Sequence, residues 1–180
     1  LVNVALTHGN DEILMGTREG MCIRFNEQHI RTCGRVSMGV RAIRLDEGDY
    51  VIDMARIEEG AEVLVITAKG FGKRTSCDEY REQSRNGKGV RAMAVTDKTG
   101  PLAAQLLVHP DEDILVITDD GTIIRARVAD IRLSGRNTQG VRIMRIAEGS
   151  EVVAVARTEA EEEEEAEEAA LDTAEEFVEE

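Results

Sequence analysis

Three apolar runs, ILMGTREG (13 to 20), VLVITAKG (63 to 70) and ILVITDDG (114 to 121), share a threonine and a closing glycine at the same offsets. None alternates cleanly between apolar and polar positions, which predicts strands buried on both faces. The turns REG, AKG and DDG put glycine where a positive φ is needed. A second strand then follows in each case: MCIRF, FGKRT and TIIRARV. A polar loop leads to the tripeptide GVR and a third predicted strand, VRAIRL, VRAMAV or VRIMRI. The fourth is YVIDMARI, PLAAQLLV or EVVAVART. The opening VNVALT aligns with a fourth strand, so the chain reads as starting at the end of an earlier repeat and as a piece of something longer.

The pattern is a repeat. Gly20, Gly70 and Gly121 are 50 and 51 residues apart, and GVR begins 19 residues after each, at Gly39, Gly89 and Gly140. Arginine keeps the same phase: Arg24, Arg74 and Arg125 follow the first marker by four residues, and Arg35, Arg85 and Arg136 precede the second by four. Short strands at even spacing, repeated in this way, predict an all-β, propeller-like array of four-stranded blades. The predicted units are the end of a preceding blade (1–10), three blade repeats (11–60, 61–111, 112–158) and a tail (159–180). Three blades fall short of the usual four to eight of a closed ring, so an arc is expected, with further blades upstream of Leu1. A single β-sandwich is the competing architecture, and the strict long period argues against it.

Composition changes the picture through charge. The formal net charge is −14, yet residues 159–180 hold 13 of the 36 acidic residues and none of the 22 basic ones. The remaining 23 acids against 22 bases leave residues 1–158 nearly neutral, which permits a local basic stripe that a polyanion would feel. The tail, EAEEEEEAEEAALDTAEEFVEE, repels itself and buries almost nothing, so disorder is expected. Tethered to a basic surface, it could compete with a nucleic acid. No apolar run approaches membrane-spanning length, and no signal peptide is legible, so a cytoplasmic location is expected. Cys22, Cys33 and Cys77 show no CxxC spacing and His8, His29 and His109 are dispersed, which argues against a disulfide framework or a metal site.

The densest basic loop is QSRNGKGV, Gln83 to Val90. It lacks P-loop spacing, and no nucleophile or carboxylate pair sits in a catalytic context, so no catalytic residue is assigned. Gly87 and Gly89 allow close backbone approach, and Arg85 and Lys88 beside them suit a phosphodiester. Aromatic residues for stacking single strands are nearly absent, which leaves duplex backbone binding. The candidate contacts are Arg24, Lys73, Arg74, Arg85, Lys88, Arg91, Arg125, Arg136 and Arg142. A protein-interaction propeller is the alternative from another class.

QSRNGKG resembles the QRRGGKG box of the C-terminal domain of bacterial DNA gyrase A subunits at Gln83, Arg85, Gly87, Lys88 and Gly89. The other repeats keep Arg35 with Gly39 and Arg136 with Gly140, like degenerate boxes of that family. The resemblance covers residues 1–158 and implies a β-pinwheel, with strands exchanged between blades, that wraps duplex DNA so that the holoenzyme introduces negative supercoils. VNVALT would be such an exchanged strand, and the acidic extension is similar to tails on some gyrase A subunits. It also implies partners in the B subunit and in the remainder of the A subunit, as an A2B2 assembly. No cofactor is expected in this segment, since ATP and Mg belong to other parts of the holoenzyme. The family's catalytic tyrosine lies in an upstream domain, so Tyr50 and Tyr80 are not given that role. The topoisomerase IV counterpart of the gyrase A subunit is the similar alternative.

Overall fold

A computed structural model of the protein describes residues 1–160. It contains three antiparallel sheets built from eleven strands. The apolar runs form β1 (Glu12–Thr17), β4 (Glu62–Thr67) and β8 (Glu112–Thr118). Each is flanked on one side by its own second strand: β2 (Met21–Asn26), β5 (Phe71–Ser76) and β9 (Ile123–Arg127). On the other side lies its fourth: β3 (Val51–Arg56), β7 (Leu102–Val108) and β11 (Val152–Glu159). The marker residues close the hairpins. Gly70 N donates to Thr67 O at 3.0 Å with φ +75°, and the buried Thr67 hydroxyl accepts from Phe71 N at 3.2 Å.

The central position of the first strands explains their unbroken apolar character. Val63 and Val65 of β4 enter a core shared with the first sheet, containing Leu14, Cys22 and Tyr80. Leu64 and Ile66 enter a second core with Ile114, Val116 and Val128 of the third sheet. One strand thus serves two cores through the period-2 alternation of its side chains.

The third strands depart from expectation. Only β6 (Val90–Arg91) and β10 (Val141–Arg142) form, two residues each. Both pair with the preceding repeat, β6 with β2 and β10 with β5, so the sheet orders are β3-β1-β2-β6, β10-β5-β4-β7 and β11-β8-β9. Pairing ends early because the chain turns inward: Ala92 N donates to Gly20 O at 2.8 Å, and Met93 is fully buried between the sheets. In the first repeat, residues 40–45 form no strand, since no earlier second strand is present to pair with; Ile43 makes an isolated bridge to Gly87.

Two further expectations change. The opening VNVALT forms no strand. A fourth strand pairs with the first strand of its own repeat, and no such partner lies among the described residues; Asn3 instead donates to Asp53 Oδ1 (2.6 Å) and Met54 O (2.8 Å). Glu159, placed at the start of the acidic tail, belongs to β11 opposite Glu112. The disorder expected of the tail falls, from residue 161, outside the described residues. The polar loops also contain three short 3-10 turns, at Glu27–His29, Cys77–Glu79 and Val128–Asp130, the first two capped by Asn26 and Ser76 side chains.

The exchange depends on glycine. A Cβ on Gly89 would lie 2.3 Å from Cys22 O, and one on Gly140 2.4 Å from Gly72 O, with φ of +78° and +69°. Gly39 has a similar φ of +75° but nothing within 4 Å. Gly89→Ala is therefore expected to destabilise by about 2–4 kcal/mol through backbone strain plus overpacking. Gly39→Ala should cost only about 1–2 kcal/mol; urea unfolding of the two variants checks the difference.

Candidate nucleic-acid interface

Successive sheets approach one another through their fourth strands, β3 against β7 and β7 against β11. The opposite edges, β6 and β10, are therefore the outer ones. The basic loops of the second and third repeats lie along this outer edge of the preceding sheet. Residues 82–91 start beside β2, where Gln83 N donates to Arg24 O at 2.8 Å, and return to it at Val90, opposite Cys22. Between these points Asn86, in the left-handed region at φ +67°, donates to Ala42 O at 2.5 Å, and Gly87 O accepts from Arg44 N at 2.8 Å. Residues 133–142 repeat the path on the second sheet, with Ser134 N donating to Arg74 O at 2.9 Å. Gly89 serves this docking by pressing on β2, whereas a Cβ on Gly87 would meet only ordinary contacts, Ile23 Cδ1 and Ser84 O at 3.6 Å.

The nine predicted basic residues separate into two groups. Arg24 and Arg74 are ion-paired within the fold, and Arg125 of the third repeat is ion-paired but exposed. Arg24 Nε donates to Glu12 Oε1 at 2.9 Å, a second nitrogen pairs with Glu12 Oε2, and Nη1 donates to Cys77 O at 2.9 Å. Arg74, 8% exposed, bonds Glu62 Oε2 (2.8 Å), Ile131 O (2.7 Å) and Ala129 O (3.0 Å). Each thus joins the first residue of a central strand to the 3-10 turn of the next repeat. Arg125 pairs with Asp113 at 2.7 Å and donates to Glu159 O at 2.7 Å.

Lys73 is completely buried, its Nζ donating to Gly135 O (2.7 Å) and Arg136 O (2.5 Å), and so it fastens the next repeat's loop from below. Desolvation lowers its pKa to about 8, with Arg136 adding to that and Glu79 opposing it. Arg136 donates to Arg91 O at 3.0 Å and lies over the buried Tyr80 ring. Arg85 makes the equivalent bond to Arg41 O at 3.1 Å, plus one to His29 O at 2.9 Å. These two box arginines are half-buried clips between neighbouring repeats.

The second group faces outward. Arg91 and Arg142 occupy matching places on β6 and β10 and are exposed. Arg142 stacks on Phe71 at 5.1 Å, whereas Arg91 has no side-chain hydrogen bond or ion pair among the described residues. Lys88 forms an exposed pair with Asp46 at 2.7 Å, a contact of little net worth that a phosphate can replace. A third in-phase set escaped the sequence reading: Arg31, Arg81 and Arg132 follow the first marker glycines by 11 residues, and all three are exposed. Their regular spacing was the signal. Tyr80 is fully buried, and desolvation raises the pKa of its hydroxyl; Tyr50 accepts a hydrogen bond from Arg18 at 3.1 Å. Among the described residues no cluster of His, Cys, Asp and Glu could hold a metal ion, and no helix is long and apolar enough to cross a membrane.

A series of three antiparallel sheets among the described residues, the first two completed by the following repeat and basic along that outer edge, defines a β-propeller-type domain. Residues 11–58, 61–103 and 112–159 match the family described as "DNA gyrase C-terminal domain, beta-propeller". The chain belongs to this family of DNA gyrase A C-terminal domains. It is 44% identical over 163 residues to the DNA gyrase A protein of Staphylococcus epidermidis, covering 89% of this chain and 18% of that protein. The chain therefore spans less than a fifth of that relative's length. Among solved structures it is similar to the C-terminal domain of a DNA topoisomerase IV, at TM-score 0.83 and 27% identity over 96% of this chain and 54% of the other. It also shares its fold with a DNA gyrase A C-terminal domain, at TM-score 0.79 and 20% identity over 84% of this chain and 52% of that one.

Replacing Arg74 by Ala leaves Glu62 and two carbonyls without their partner and should destabilise by about 3–5 kcal/mol. Lys88→Ala should change stability by no more than about 0.5 kcal/mol; chemical denaturation of both checks the division. Lys73 also predicts a pH effect. Above about pH 8 the folded chain releases a proton that the unfolded chain keeps until the ordinary lysine range, so this group makes stability rise with pH across that window. In paired urea titrations at pH 7.5 and 9.5, Lys73→Met should lose that rise.

Proposed function

We propose that this chain is the DNA-wrapping part of a gyrase A subunit, holding duplex DNA by its phosphate backbone along the outer edges of successive sheets. The observation that carries this reading is the repetition of exposed cations at equal stations: Arg81, Lys88 and Arg91 on the first edge, Arg132 and Arg142 on the second. Equal stations on neighbouring sheets suit successive phosphate clusters of a bent duplex and carry no base readout. Arg85 and Arg136 support the edge, and their remaining N–H groups can join it. Arg24, Lys73 and Arg74 act indirectly, by fixing the loops that present the others, while Arg125 ties β9 to β8 and β11.

Within the holoenzyme the segment would support ATP-dependent negative supercoiling in the bacterial cytoplasm, together with the B subunit and the rest of the A subunit, in an A2B2 assembly. Catalysis, ATP and Mg would belong to those other parts. Similarity to a topoisomerase IV C-terminal domain supports a second reading, as the corresponding part of that enzyme. The five matches to the gyrase box between Gln83 and Gly89, with 44% identity to a gyrase A protein, favour gyrase.

Lys88→Ala/Arg91→Ala tests the interface without touching a buried contact. It should weaken binding similarly on unrelated duplexes and make the slope of log affinity against log salt shallower by about 2, because each lost phosphate contact removes about one released counterion. Fluorescence anisotropy over a salt series measures this; an unchanged slope removes these residues from the interface.

A further inference from the structure

A cleft of about 240 Å³ lies between the second hairpin and the third repeat, lined by Lys69, Phe71, Lys98, Arg142, Ile146 and Ser150. Three of its walls are cationic and none is a carboxylate. Lys98 Nζ and the Arg142 guanidinium lie 5.5 and 5.1 Å from the centroid of the same Phe71 ring, itself 6% exposed. Lys69 is held from the other side by its Nζ donating to Asp97 O, which leaves its remaining N–H groups available. The neighbouring Asp97 and Glu148 carboxylates do not line the cleft. Three like charges line one cleft, two of them over a buried ring, and raise one another's potential with no carboxylate in the lining to offset them.

The corner is specific to the second repeat. The residue before the hairpin glycine is Glu19 in the first repeat and Asp120 in the third, against Lys69 here. The loop before the fourth strand carries Asp46, Glu47 and Asp49 in the first repeat and Glu148 and Glu151 in the third, while the second carries Lys98 beside Asp97. A general solubilising charge would not reverse sign at one corner of three.

We infer that this cleft is a phosphate site that anchors the duplex at the junction of the second and third repeats. The inference rests on the DNA-binding reading above and adds Lys69 and Lys98 to it. A phosphodiester oxygen pair can accept from Lys69, Lys98 and Arg142 together while its ester oxygens face the outer edge, where Arg142 already stands. The path of the DNA would then leave the rim at β10 and turn towards the hairpin end of the second sheet.

Salt-dependent duplex binding of the 180-residue chain tests this with Lys69→Ala/Lys98→Ala, both exposed positions, and with Lys69→Arg/Lys98→Arg. The alanine pair should make the slope shallower by about 1, and the arginine pair should restore it. A slope equal to the wild type's in the alanine pair overturns the inference. If the wild-type chain itself fails to bind duplex, the DNA reading fails, and inorganic phosphate then decides the cleft by amide chemical shifts. Shifts confined to Lys69, Gly70, Lys98 and Ser150, lost in the alanine pair, support a phosphate site; their absence overturns it.

Discussion

The first two sheets of this protein depend on a close approach of two backbones: the glycine of GVR against the second strand of the repeat before it. At Gly89 and Gly140 there is no room for a side chain, and this contact lets Val90–Arg91 and Val141–Arg142 complete a sheet they do not belong to in sequence. Once that pair forms, the loop before it must run along the outer edge, and the residues after it must turn inward to fill the core. The basic rim and the cores between sheets are thus two results of one contact.

The cations divide according to where this exchange leaves them. Arg24 and Arg74, on the second strands of the first two repeats, point into the seam between repeats, where removing water from a guanidinium is tolerable only with a carboxylate and several carbonyls around it. Glu12 and Glu62 with the neighbouring 3-10 turns supply those partners. Cations on the loops and edge pairs stay hydrated and exchange partners cheaply, which is the property a sliding, nonspecific polyanion contact needs. The buried set holds the loops that carry the exposed set: Lys73 lies beneath the Gly135–Arg136 peptide, between Arg132 and Arg142 in the chain.

Much of this is legible in the order of residues. The apolar runs, turn glycines and second and fourth strands are local patterns, and the structure contains them where the 50-residue period places them. The third strands are overestimated because VRAMAV and VRIMRI have strand composition throughout, whereas their second halves are spent on the core. Asn26 and Ser76 ahead of acidic residues are cap signals for the 3-10 turns. Arg31, Arg81 and Arg132 are as regular as the other in-phase arginines, and they lie on the outside.

The residues alone determined that there are three equivalent units, which segments are strands, and that the body is nearly neutral once the acidic tail is set apart. Those properties are carried by neighbours in the chain or by simple counting. The tertiary structure decided which of the equivalent arginines are buried and which strand completes which sheet. It also decided whether QSRNGKG is a free loop or one laid across the preceding sheet. A repeat period establishes that positions are equivalent, but the direction of a side chain and its access to water depend on contacts with residues about fifty positions away. Arg74 and Arg81 illustrate the difference, seven residues apart and both in phase, one enclosed by the next repeat and the other facing solvent.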